Sequence, residues 1–120
     1  IDLARRSGDV AAVYAKVVFE RDRFHYEYGL RPSLQHVPHR GKDRGEPVAA
    51  YAVLQFRDAN AEPQFDVMEK DEIHEIRNCS KTAGRDDSPW NTWPEEMWKK
   101  TVLRRAFKLW PVNSHARVAA

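Results

Sequence analysis

The sequence predicts an α+β domain in which an antiparallel four-strand β-meander is followed by two helices packed on one sheet face. Val, Tyr and Phe are concentrated in short runs up to Met68, as strands require, and after it apolar residues recur at helical spacing. A chain of 120 residues, 42% hydrophobic and 11% aromatic, can bury one modest core, so residues 1–120 are expected to form a single domain.

The chain opens on IDLARR, the last turns of a helix ended by Gly8, without an initiator methionine, and is expected to be a fragment. Val10 to Glu20 reads as the first strand and Phe24 to Tyr28 as the second, joined in a hairpin by Arg21-Asp22-Arg23. Residues 31–47 hold three prolines, two glycines and many charges without periodicity, which predicts a surface loop. Val48 to Phe56 and Gln64 to Met68 are the third and fourth strands. Glu69 to Cys79 places Ile73, Ile76 and Cys79 on one face of a short amphipathic helix, with Cys79 as a small core residue. The second helix runs through TWPEEMWKKTVLRRAFKLWP. Thr92 and Glu95 have the spacing of a capping box, Pro94 suits the first turn, and Pro111 stops the helix near Leu109 or Trp110.

Twenty basic against eighteen acidic residues leave a formal net charge of +2, so attraction to a polyanion must come from local clustering. The last helix supplies it. After Glu96 there is no acidic residue, while Lys99, Lys100, Arg104, Arg105 and Lys108 follow. At 100° per residue Lys100, Arg104 and Lys108 form one stripe with Arg105 on its flank, and Trp98, Val102, Ala106 and Leu109 form an opposite docking face. Steps of roughly 6 Å along the stripe, from the helix rise, are close to the phosphate spacing of an extended single strand. The plain alternative is a solvated stripe. Trp90, Trp93 and Phe107 beside the charges are candidate stacking platforms for unpaired bases, and burial in the core is the competing fate of each tryptophan.

Other chemistries have thinner support. His36 and His39 lack a second pair of metal ligands. Asp66, Glu69, Asp71, Glu72 and Glu75 could hold Mg²⁺ through one or two carboxylates, or simply form a solvated helix start. GKDRG at 41–45 lacks the spacing of a phosphate loop, which argues against an ATPase. One cysteine excludes an internal disulfide and fits a reducing compartment, and no apolar run approaches the ~20 residues of a membrane span.

Several of these residues resemble the RecT family of phage and prophage recombinases: IDLARRSG at the start, Phe65-Asp66-Val67-Met68, Pro89-Trp90, Glu95-Glu96-Met97, Lys99-Lys100-Thr101, Arg104-Arg105, Phe107-Lys108 and Pro111-Val112. The resemblance implies single-stranded DNA binding and ATP-independent annealing of complementary strands in homologous recombination, in the cytoplasm of a bacterial host. It implies no bond-making chemistry and no required cofactor, assembly into rings or filaments, and a 5′→3′ exonuclease partner. It places Lys99, Lys100, Arg104, Arg105 and Lys108 in or beside the groove for single-stranded DNA and its annealed duplex, with Arg5 and Arg6 as a second basic element. It also implies that the chain is the central portion of a recombinase. One departure is Glu69, where the family tends to carry a hydroxyl cap. The rival reading is a protein-interaction or oligomerisation module without direct DNA binding, in which the basic helix meets an acidic surface such as 66–75 of the next subunit.

Overall fold

The computed structural model describes residues 10–58, 60–80 and 84–110. Arg5, Arg6 and the tail from 111 to 120 therefore lie outside the described residues. Five strands come first: β1 (Val10–Phe19), β2 (Arg23–Glu27), β3 (Ser33–Val37), β4 (Pro47–Phe56) and β5 (Gln64–Glu69). Three helices follow: α1 (Lys70–Asn78), the single turn α2 (Pro89–Thr92) and α3 (Pro94–Leu109).

The α+β class and the helices on one sheet face stand, but the strands do not form one four-strand meander. An antiparallel sheet runs β1-β4-β5, and β2-β3 is a separate hairpin. The expected β1–β2 pairing fails because the turn between them leaves the sheet plane. The Asp22 carboxylate takes the Phe19 N–H at 3.1 Å, and the N–H groups of Glu20 and Arg21 donate to the carbonyls of Glu46 and Arg44. Ten-residue β1 is thereby led along the approach to ten-residue β4, its partner in length. The expected loop at 31–47 also contains β3, whose Leu34 and His36 alternate with exposed neighbours and face Tyr26 and Phe24. Gly29, at φ +113°, turns the chain from β2 toward β3 in a conformation that side chains rarely adopt.

β4 lies between two layers, so Ala49 to Leu54 is buried on both faces. Ala50, Ala52 and Leu54 face the helices, and Ala49, Tyr51 and Val53 face the hairpin. On β1 a register shift between Val10 and Ala12 changes the parity, so that Val10, Val13 and Val17 all enter the helix-side core. The small alanines of β4 leave room for α3, which packs Trp98, Val102 and Ala106 against them. The hairpin lays Phe24, Tyr26 and Leu34 over the second face, and Tyr26 donates to Glu69 Oε1 at 2.8 Å, which pushes its phenol up to about 12.

Helix ends refine the expectations. Glu69 starts α1 without a hydroxyl, and Glu72 Oε1 accepts its N–H at 3.2 Å. Ile73 is fully buried, but α1 ends at Asn78 and Cys79 is exposed, which corrects its expected place in the core. Thr92 does not cap α3. It closes α2, whose first N–H groups are served by Ser88, and Trp93 becomes the N-cap of α3 with Pro94 at its first position. α3 stops at Leu109, where the sequence places the end. Leu109, expected on the docking face, is 65% exposed, and Trp110, 4% exposed, takes the inward position instead.

Candidate nucleic-acid interface

The sixteen residues of α3 sort into two faces by burial. Trp98, Thr101, Val102 and Ala106 point inward, with the Thr101 hydroxyl satisfied by the Met97 carbonyl at 2.7 Å. Lys100, Arg104 and Lys108, one turn apart, are exposed and line one wall of an open cleft of about 640 Å³. Its other wall is the end of α1, with Ile76, Cys79 and Ser80, and Trp90, Met97 and Thr101 also line it. Among the described residues, no acidic group pairs with Lys100, Arg104 or Lys108. Three unneutralised cations thus stand along a trough with apolar patches, a surface that suits a chain carrying both phosphates and bases.

Arg105 has a different job from Arg104. Its Nε and one terminal nitrogen each meet an Asp66 oxygen at 2.9 Å, that same nitrogen also donates to the Val67 carbonyl, and the other reaches Glu72 Oε2. The Asp66 hydrogen bonds, opposed by burial and assisted by Glu72, hold the guanidinium further above its usual range. Arg105 therefore fastens α3 to β5 and to α1, while its side chain also lines the cleft beside Arg104. The same contacts engage Asp66 and Glu72 of the acidic cluster, and among the described residues no group of three potential ligands gathers to hold a metal. His36 is likewise engaged, between Asp22 Oδ2 and the Tyr51 hydroxyl at 2.9 Å each.

Lys99, which the resemblance places in or beside the groove, lies away from this cleft. Its ammonium lies 3.5 Å from Glu96, and its side chain lines a separate cleft with Lys16 and Arg44. The three stacking candidates also diverge. Trp90, 7% exposed, belongs to the core beneath the cleft. Phe107 is half-buried and meets the edge of Trp110 at 5.6 Å. Trp93 alone of the three is open, at 65% exposure. Sequence reasoning missed the apolar rim made by Ile76 and Cys79. Its signal was present, because Ile76 and the cap residue Cys79 continue the helical spacing of Ile73 beyond the point where Ile73 meets the core.

The sequence matches the RecT family over residues 1–119. It is 45% identical over 114 residues to Protein RecT of Escherichia coli (strain K12), an alignment that covers 94% of this chain and 40% of that relative. The chain thus spans well under half the length of the curated relative it matches.

Proposed function

The chain belongs to the RecT family, and from that premise we propose that it binds single-stranded DNA along the α3 cleft and anneals complementary strands in homologous recombination without ATP. The observation that carries this reading is the unpaired row Lys100, Arg104 and Lys108 on one cleft wall, next to an Arg105 that lines the same cleft but is paired with Asp66 and Glu72. Successive turns of the row offer a cation about every 6 Å, enough to hold a backbone by its phosphates and leave base edges free for a second strand. Phosphate contacts position a strand without reading it, so binding is indifferent to sequence. No bond is made or broken and no cofactor is required. The annealed duplex, the growth of rings or filaments, and a 5′→3′ exonuclease that supplies single strands complete the proposal, with the bacterial cytoplasm as its setting. No helix among the described residues is long and apolar enough to cross a membrane.

Titrating labelled oligo-dT at several salt concentrations tests the cleft. Three cations predict a slope of about −2 in log K against log salt, at ~0.7 per phosphate. Lys100→Ala with Arg104→Ala should bring that slope down by about 1.4. An unchanged affinity and slope in the double variant would remove α3 from the interface. No oligo-dT binding by the unaltered chain even at low salt, with assembly unaffected by DNA, would favour a protein-docking helix instead.

A further inference from the structure

The cleft lined by Lys99 lies at the Phe19 end of β1 and encloses about 340 Å³. It brings together Lys16 of β1, Arg44 of the loop before β4 and Lys99 of α3. Three separate segments supply these cations, so no local pattern announces them. Among the described residues Glu95 is the one carboxylate in the lining. Positive charge therefore outweighs negative in a concave surface, a condition for holding an anion. On α3 Lys99 stands about 100° from Lys100 and about 180° from Lys108 round the axis. This cleft and the one lined by Lys100, Arg104 and Lys108 thus flank the helix on opposite sides.

Arg44 is built into the wall of this cleft. Its Nε and Nη2 donate to the two Asp22 oxygens at 3.1 and 2.5 Å, and the Phe19 ring centre lies 4.2 Å from the guanidinium carbon. The Asp22 side chain is fully buried and the His36 ring that shares it is 6% exposed, so the fork is fixed from behind. Among the described residues nothing accepts from Arg44 Nη1, and nothing pairs with the ammonium of exposed Lys16. Lys99 has the 3.5 Å contact with the exposed Glu96, a pair that holds weakly. A guanidinium gripped along one edge by a buried carboxylate is already ordered, and its remaining donors can meet a phosphate without the entropy cost of placing the side chain. Two lysines beside it supply charge on flexible stems that can follow the ligand.

We propose that Lys16, Arg44 and Lys99 form a second phosphate-binding site, which takes a backbone phosphate of DNA on the flank of α3 opposite the first. The proposal rests on the DNA-binding reading above and adds to it a site that the Lys100–Arg104–Lys108 row does not share. The phosphate belongs either to the strand already held on that row or to its complement. Lys16→Gln with Lys99→Gln removes two of the three charges and leaves the Arg44–Asp22 pair intact. Oligo-dT titrated at several salt concentrations, followed by labelled oligo-dA added to the complex, reads both strands. If the first strand reaches the site, the double variant should lower the oligo-dT slope by about 1.4, at ~0.7 per phosphate. If the complement does, the oligo-dT slope should stay unchanged and retention of oligo-dA should become weaker and less dependent on salt. Glu95→Gln should tighten the affected step, a gain that no loss of folding produces, while Glu62→Gln, the same change of charge at an exposed turn, should not. Neither step altered in the double variant, or equal gains at 95 and 62, overturns the site and leaves the α3 row standing. No binding of oligo-dT by the unaltered chain at low salt overturns both.

Discussion

The two faces of the central sheet are covered in different ways. On the helix side Trp98, Val102 and Ala106 fill the space above Ala50, Ala52 and Leu54, with Trp90 and Trp110 completing an apolar core. On the hairpin side the cluster is smaller, and a charged knot holds its margin. The Asp22 side chain is fully buried there and accepts from the His36 ring, the His39 and Phe19 N–H groups, and the guanidinium of Arg44, which also lies 4.2 Å over the Phe19 ring. Burial alone would raise this carboxyl, but those donors, Arg44 first, hold it well below the ordinary value of 3.8. One face is therefore secured by non-directional burial that tolerates similar shapes, and the other by directed hydrogen bonds that tolerate no change of charge.

Substitutions can break this contrast. The largest loss is expected at Trp98→Ala, at about 3–5 kcal/mol for a large buried aromatic, and Trp98→Phe should recover much of it. Asp22→Ala is expected to cost about 3 kcal/mol, the lower end for a broken buried pair because Arg44 keeps some access to water. Here the near-isosteric Asp22→Asn should recover little. If urea denaturation showed Asn at 22 to be as mild as Phe at 98, the hairpin would be held by packing and the contrast would fall.

Acidity sharpens the same point. A carboxyl whose folded pKa is depressed contributes stability that is present above its unfolded value and lost as the pH falls toward the folded one. Asp22 should thus contribute in full above about pH 4 and progressively less below it. Urea melts from pH 5 to pH 2 should show a steeper fall for the unaltered chain than for Asp22→Asn, and parallel curves would contradict the assignment.

Smaller effects distinguish neighbours. Arg105→Lys loses the two-pronged contact with Asp66 and should cost about 1–3 kcal/mol, whereas Arg104→Lys should stay within about 0.5 kcal/mol and leave the salt slope of DNA binding intact. Equal stability losses at 104 and 105 would mean that the two arginines are not divided between binding and fastening. Tyr28→Phe, which takes the acceptor from the Val67 N–H at the β5 edge, should cost about 1 kcal/mol and raise the hydrogen-exchange rate of that amide.

Local pattern alone determined several things about this protein. Strand and helix identities from Val10 to Leu109 follow from runs and periods only a few residues long, apart from the single turn α2, too short to show a period, and β3, where prolines and charges masked the short alternation of Leu34 and His36. The row Lys100, Arg104 and Lys108 was equally legible, because spacing of four on a helix fixes a common face whatever the surroundings. The start of α3 was misread because Ser88-Pro89 begins a separate turn that consumes Thr92. What only the tertiary structure decided depends on partners far apart in the chain. Arg105 and Asp66 are 39 residues apart, Arg44 and Asp22 are 22 apart, and no local signal tells a cation that will be neutralised from one that will stay free. Whether β1 paired with β2 or with β4 was also settled at long range, by strand length and by the carboxylate that turns the chain out of the sheet at Asp22. Periodicity assigns a residue to a face, and only the packed chain supplies what that face meets.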